Sequence, residues 1–501
     1  MAGERLSGLD VAFLKLDDPA APMNIGALMI FEPTHPVGVE QLVRLLGERM
    51  GSFPQFRQRL RSLAVPPAAA EWVEDAQFQV EAHIRVCCLP PPGTRDQLTE
   101  YAANAMASQL NPARPLWEVH VITGLSDGHF ALLLKTHHAV TDGQGGVRLF
   151  SAVYDESAAL IGGTTATSAA PSSRIHGAWR SVSRPDQWLS AIPSLVAGPS
   201  LLAGQLIETG RQTTRELGIA ASVLRKARFS AVSSLVGTPS RTPPRRQMTI
   251  VQLDPAAVRR VRQQHRVMTH EVVLAVLAGA LRDWLGSGDR GLGGARPRAL
   301  IPVALRIDAA EPGRGNNLSG YLCELPVSEP DPVRRLRAVH VAMERNKANG
   351  PYRGAGAFPL LANSLPAAVH HLVGPLAGRG ANLLFDVVVS NIPKSNATLR
   401  MAGAPMREFY GMVPLAHGHG LSVAVTSSRH FIGIALYSDP SIQPDVTGLS
   451  RALPLALTAL APPAPVPAPR VALPAESSTA DPTPGPSVPA GRRTVTAQPV
   501  T

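Results

Sequence analysis

Apolar residues at Val39, Leu42, Val43, Leu46 and Met50 recur at helical spacing with Gly51 behind them, which predicts a helix with one buried face. Ser7-Gly8-Leu9-Asp10 predicts a helix start, with a serine cap and an acid three residues on, leading into Val11, Phe13 and Leu14. A strand is expected over residues 26–31 and a helix over 97–109, after the loop Pro90-Pro91-Pro92-Gly93. Residues 118–122 and 130–135 read as two strands joined by a turn at Ser126-Asp127-Gly128. The second contains Ala131-Leu132-Leu133-Leu134, apolar on both faces, so it is expected centrally in a sheet.

Order weakens from residue 162 to 246 and returns with a strand over 248–253 and a helix from Asp254. A second helix is expected where Thr269 caps the apolar run 272–281. Strands over 299–305, 318–326, 383–389, 421–426 and 431–437, with helices over 333–347 and 446–460, give an alternating α/β pattern. The chain thus divides into an N-terminal lobe (1–161), a connector (162–246), a C-terminal lobe (247–461) and a Pro/Ala-rich tail (462–501) expected to be disordered.

The connector has two unusual parts. Residues 187–207 carry no charge, but Pro193, Pro199 and several Ser and Gly residues make them a poor spanning helix. Arg211, Arg215, Arg225, Lys226, Arg228, Arg241, Arg245 and Arg246 face a single acid, Glu216; this cluster reads either as a patch resting on an anionic membrane surface or as a solvated helix face. The net charge of +11 favours anionic partners in general, yet aromatics make up only 5% and nowhere interleave with Lys/Arg, which argues against nucleic acid. Cys87, Cys88 and Cys323 form neither a zinc spacing nor a disulfide framework, and the first residues lack a signal peptide's apolar core; a cytoplasmic protein is expected.

The candidate chemistry lies in His137-His138-Ala139-Val140-Thr141-Asp142-Gly143, at the end of the apolar strand. An imidazole takes up a proton near neutral pH, Asp142 is close enough in sequence to fix the turn, and Gly143 allows a sharp bend before a further helix. These are the parts of a general base. The one Gly-x-Ser-x-Gly string, Gly124-Leu125-Ser126-Asp127-Gly128, falls in the expected hairpin turn and not in a strand-to-helix elbow, so direct transfer to an attacking hydroxyl is simpler than a covalent intermediate. His137, His138 and Asp142 are also possible metal ligands, but neighbouring strand residues point to opposite faces and no further cluster completes a shell; no metal is expected. Pro115-Leu116-Trp117 is expected to pack the motif's sheet, while Ser390 and Asn391 serve either as hydrogen-bond donors to substrate or as a plain turn.

The His-His segment resembles the active-site motif of the bacterial wax ester synthase/diacylglycerol acyltransferase family, relatives of peptide-synthetase condensation domains and chloramphenicol acetyltransferases. Leu6-Ser7-Gly8-Leu9-Asp10, Pro115-Leu116-Trp117-Glu118, Pro302-Val303-Ala304-Leu305-Arg306, Gly315-Asn316-Asn317 and Ser390-Asn391-Ile392-Pro393 extend the resemblance, in order, over roughly residues 5–460. It implies two similar chloramphenicol acetyltransferase-like α/β lobes with mixed sheets and a tunnel between them, acyl-CoA entering from one side and the acceptor from the other. It further implies His138 as catalytic base, with His137, Asp142 and Gly143 in structural support and Arg306 pairing with Asp142.

The implied reaction transfers a long acyl chain from acyl-CoA, as co-substrate and with no other cofactor, to diacylglycerol at a membrane or lipid-droplet surface. A fatty alcohol as acceptor, a carrier-bound acyl donor, and a lipid-binding protein with little activity are the alternatives. The last is motivated by two departures from the family pattern, His270-Glu271 for Asn-Asp and Pro393-Lys394 for Pro-Gly.

Overall fold

The computed structural model describes residues 4–62, 70–140, 151–156, 235–237, 245–286, 296–304, 318–349, 383–393, 398–443 and 446–461. In the first half, β1 (Glu4–Arg5), α1 (Gly8–Leu16), β2 (Asn24–Phe31) and α2 (Val39–Gly51) are followed by β3 (Gln58–Ser62), β4 (Ala70–Glu74) and β5 (Ile84–Cys88). Next come α3 (Arg95–Ala107), β6 (Trp117–Thr123) and β7 (Phe130–His137). In the second half, β8 (Gln247–Leu253), α4 (Pro255–His265), α5 (Thr269–Gly286), β9 (Arg298–Ala304), β10 (Leu318–Glu324) and α6 (Pro332–Asn349) precede β11 (Val387–Pro393). Then β12 (Arg400–Met401), β13 (Ala404–Met412), β14 (Leu421–Ser427), β15 (Ile432–Ser438) and α7 (Val446–Leu460) complete the described elements.

Two mixed six-stranded sheets result, in the orders β12-β13-β2-β7-β6-β5 and β10-β9-β11-β14-β15-β8, with a small sheet β1-β4-β3 beside them. The strand β7 lies inside the first, antiparallel to both β2 and β6, and every residue of it is buried. Its double-sided apolarity follows from what covers it. Phe130, Leu132 and Leu134 pack with Leu42, Leu46 and Met50 of α2, whereas Ala131 and Leu133 pack with Leu98, Ala102 and Met106 of α3. Each fully buried Leu, Phe or Met side chain among these contributes about 1.5–3 kcal/mol. The β6–β7 turn is closed by Gly128 at φ +73°, a conformation that suits glycine.

The second half sends a strand into the first sheet: β13 pairs antiparallel with β2, from Met406 opposite Phe31 to Met412 opposite Gly26. Its Tyr410 and Met412 join Leu28 and Ile30 of β2, Ala424 of β14, and Ala435 and Tyr437 of β15 in one apolar cluster. The halves are therefore fastened by a shared core as well as by a shared sheet.

Three expectations are corrected. The helix α5 begins at Thr269 itself, and the Met268 N–H ahead of it donates to the Glu271 carboxylate at 2.9 Å, so an acid rather than a threonine hydroxyl closes this helix start. The strand expected over 383–389 runs from Val387 to Pro393, because Asp386 and Arg298 exchange backbone and side-chain hydrogen bonds that start the pairing there; Ser390 and Asn391 consequently sit within β11. Arg246 is buried and paired with Asp439 at 2.5 Å, so it belongs to the core and not to a basic surface patch.

The other expectations for the connector, including the uncharged run 187–207, lie outside the described residues, as do Asp142, Gly143, Arg306, Gly315-Asn316-Asn317, Lys394 and the 462–501 tail. Among the described residues no helix is long and apolar enough to cross a membrane.

Candidate active site

The strand β7 carries Thr136 and His137 to its end and delivers His138 into the turn beyond. That end is pinned on both sides. The Leu116 carbonyl accepts from the Thr136 hydroxyl at 2.9 Å and from the His137 N–H at 3.1 Å, and Trp117 is anchored by its indole N–H on the Phe56 carbonyl at 2.8 Å. The Pro115-Leu116-Trp117 segment thus packs and hydrogen-bonds the motif strand, as its apolar character predicts. On the opposite side the His138 N–H donates to the Met23 carbonyl at 2.8 Å.

The two histidines have different surroundings. His137 is buried, and its Nδ1 accepts the Ala139 N–H at 3.0 Å while its carbonyl accepts the Val140 N–H at 3.0 Å. A ring that accepts at Nδ1 carries its proton on Nε2. That nitrogen faces Asp17 Oδ1 at 3.7 Å, long for a hydrogen bond but short for charge–dipole attraction. Asp17 also accepts the Met23 N–H and the Gln109 side-chain N–H, both at 2.8 Å. Burial alone raises its pKa, but the attraction of His137 and these hydrogen bonds outweigh it and hold the carboxyl below the ordinary aspartate range.

His138, in contrast, is only half-buried, and its ring stacks on Phe13 with centroids 4.0 Å apart and planes 22° apart. Around the turn, Leu6, Leu14, Leu60 and Val140 pack against a small cluster of Trp72, Leu110, Leu116 and Ala139, so the imidazole stands at the edge of an apolar wall.

Behind the turn lies a buried polar group, also on β7. Lys135 is fully buried; its ammonium donates to Ser108 Oγ at 2.9 Å and faces Glu118 at 3.7 Å. Burial depresses the Lys135 pKa against the pull of Glu118. For Glu118, burial acts upward but is overcome by His120, Lys135 and Arg85, leaving it at about 2. Opposite Lys135 across the sheet is Gly26, where a Cβ would lie 2.7 Å from the Leu134 carbonyl oxygen. Glycine lets the two strands and Met106 of α3 close up just under the histidine turn.

Sequence reasoning missed Phe13, Asp17 and Lys135. Phe13 was visible only as an apolar position of α1, and Asp17 only as a polar helix end. Ser390 and Asn391 are placed on β11 in the second sheet, half-buried and exposed respectively, with the Asn391 side-chain oxygen accepting from Ser427 at 3.4 Å. The His270-Glu271 departure also has a local explanation. Glu271 is fully buried and, besides the Met268 N–H, faces His340 at 3.0 Å and Lys347 at 3.2 Å. Its carboxyl is held below the usual glutamate range, the burial penalty being outweighed by these partners. A longer acid at this helix start reaches both the cap and α6.

Residues 6–273 match the wax ester synthase/diacylglycerol acyltransferase catalytic domain, and residues 314–461 match the WS/DGAT C-terminal domain. Two proteins of Mycobacterium tuberculosis strain H37Rv named as diacylglycerol O-acyltransferases are similar along most of their length. One is 30% identical, covering 89% of this chain and 94% of the relative; the other is 31% identical, covering 84% and 92%. Among solved structures, the wax ester synthase/diacylglycerol acyltransferase from Marinobacter aquaeolei VT8 shares the fold with a TM-score of 0.62 at 24% identity, over 91% of this chain and 98% of that one. The first condensation domain of the CDA synthetase shares it at 0.56 and 17%, over 92% and 97%. The fold is thus shared with a solved wax ester synthase/diacylglycerol acyltransferase, and the chain belongs to the wax ester synthase/diacylglycerol acyltransferase family.

Proposed function

We propose that this protein transfers a long acyl chain from acyl-CoA to the free hydroxyl of diacylglycerol, with His138 as general base. The observation that carries this reading is the asymmetry of the histidine pair. His137 has its Nδ1 committed to the Ala139 N–H, whereas His138 stands half-buried at the end of a rigid strand. In the reaction His138 takes the hydroxyl proton as the oxygen attacks the thioester carbonyl. The tetrahedral oxyanion collapses, the carbon–sulfur bond breaks, and the departing CoA thiolate recovers the proton from the imidazolium. One ester replaces one thioester, and acyl-CoA is the only co-substrate the step needs.

His137 supports the turn together with Asp142 and Gly143, and Arg306 compensates the Asp142 charge. Ser390 and Asn391 contribute polar contacts along a substrate tunnel between the halves. Because the acceptor is insoluble in water and the chain carries a net charge of +11, the protein works peripherally, on the cytoplasmic face of a membrane or on lipid droplets.

Transfer to a fatty alcohol, giving a wax ester, is the second reading, supported by the description of the matched family and the name of its Marinobacter structural relative. Labelled acyl-CoA supplied with diacylglycerol and a long-chain alcohol in competition, followed by thin-layer separation, tests both. Triacylglycerol as the main product supports the proposal, and wax ester as the main product replaces it. No product from either acceptor would leave lipid binding as the function.

A further inference from the structure

The helix α1 meets the histidine pair at two points. From its middle, Phe13 lays its ring against that of His138, with centroids 4.0 Å apart and planes 22° apart. From its C-cap, Asp17 faces His137 at 3.7 Å and accepts the N–H of Met23, whose carbonyl in turn accepts the His138 N–H. The helix itself is firmly started: Ser7 and Asp10 exchange side-chain and backbone hydrogen bonds in a capping box. It ends with the Asp17 N–H on the Phe13 carbonyl at 3.1 Å. Ring and backbone of His138 are therefore both referred to the same short helix.

We infer that Phe13 is a positioning residue for the base, holding the plane of the His138 imidazole so that its reacting nitrogen meets the acceptor hydroxyl in one orientation. The inference rests on the general-base reading of His138. The two side-chain torsions of a half-buried imidazole on a turn are narrowed by a group that packs against its face. A near-parallel aromatic ring restrains the tilt of the imidazole by covering its face and not its edge. Leucine or methionine fills much of the same volume but offers no flat surface.

The test is steady-state kinetics on the full chain with a long-chain acyl-CoA and diacylglycerol, for the parent, Phe13→Leu, Phe13→Met and Phe13→Tyr, with His138→Gln in parallel. Both aliphatic variants are expected to lose kcat by about tenfold to a hundredfold, the scale of a misaligned catalytic group, with KM for each substrate unchanged. Phe13→Tyr, which keeps the flat ring, is expected to restore kcat to within about threefold of the parent. Using two aliphatic replacements keeps a folding defect in either one, seen as a lowered thermal midpoint, from deciding the result.

A rise in KM with kcat preserved would make Phe13 a wall of the substrate site and overturn the inference. So would equal losses in the leucine and tyrosine variants. If His138→Gln abolishes turnover while the aliphatic variants match the parent, the inference alone falls. If His138→Gln itself keeps full activity, the general-base reading falls first.

Discussion

Arg246 and Asp439 form a buried ion pair, 2.5 Å apart, that joins the start of β8 to the turn after β15. The same guanidinium donates to the Ala20 carbonyl, in the loop between α1 and β2 that also holds Met23 against His138. The second sheet is thereby linked to the loop that braces the histidine turn.

Removing one partner of such a pair strands the other charge in the interior. Asp439→Ala is therefore expected to destabilise the fold by about 3–5 kcal/mol. Arg245→Ala, next door but exposed, is expected to change stability by less than about 0.5 kcal/mol. Urea unfolding of the two variants beside the parent checks the contrast; equal midpoints for the pair would contradict it.

The role of His137 is measurable apart from that of His138. His137→Ala removes the acceptor of the buried Ala139 N–H, which costs about 1–3 kcal/mol when left unmade. The expected outcome is a lowered unfolding midpoint together with reduced turnover, since the turn itself loosens. A variant as stable as the parent would show that the Nδ1 contact does not hold the turn.

Glu118 gives a pH dependence of known sign. Its folded pKa of about 2 lies below the ordinary glutamate value of 4.5, so its contribution is fully present above pH 4.5 and disappears as pH falls toward 2. Allowing for partial exposure, this is about 1–2 kcal/mol. Glu118→Gln is expected to lower stability at neutral pH and to flatten the decline between pH 4.5 and 2, read from urea midpoints across that range. A variant with the parent's full acid slope would assign that slope to other carboxylates.

Glu271 tests the departure at the head of α5. Glu271→Ala loses the bond to the Met268 N–H and leaves His340 and Lys347 without their buried acid, an expected cost of about 1–2 kcal/mol. Glu271→Asp is expected to cost less if the shorter acid still reaches the cap. Activity per folded molecule is expected to survive in both, measured with the same acyl-CoA assay after correction for unfolded protein. A selective loss of turnover in a fully folded variant would move Glu271 into the catalytic apparatus.

The elements legible in the sequence are those whose burial is written in their own residues. The strand β7 shows an unbroken apolar run because α2 and α3 cover both its faces, and α7 repeats Val446, Leu449, Leu453, Leu457 and Leu460 along one side. The strand β13 is a counter-example. Pro405, Arg407, Glu408 and Gly411 interrupt its pattern, and it is a strand because β2 offers it a partner from the other half of the chain. Likewise β3 and β4 are rich in charge, with Arg59 and Arg61 facing a strand that holds Glu71 and Glu74, and pairing with each other and with β1 orders them.

At the site the same rule divides what was readable from what was not. The paired histidines were found because their chemistry is local to one motif. Phe13 and Asp17 were not, because what they do depends on a helix and a turn far apart in sequence being packed together. Arg246 was misread for a related reason: its charge suggested a surface, and only Asp439 and Ala20 reveal a core position.

Removal of the acceptor's proton by His138 is tested by thiol release from a long-chain acyl-CoA in the presence of diacylglycerol, comparing the parent with His138→Gln. The expected result is a fall in kcat of about a hundredfold to ten-thousandfold, with the variant's unfolding midpoint close to the parent's. Undiminished thiol release by a folded His138→Gln protein would contradict it.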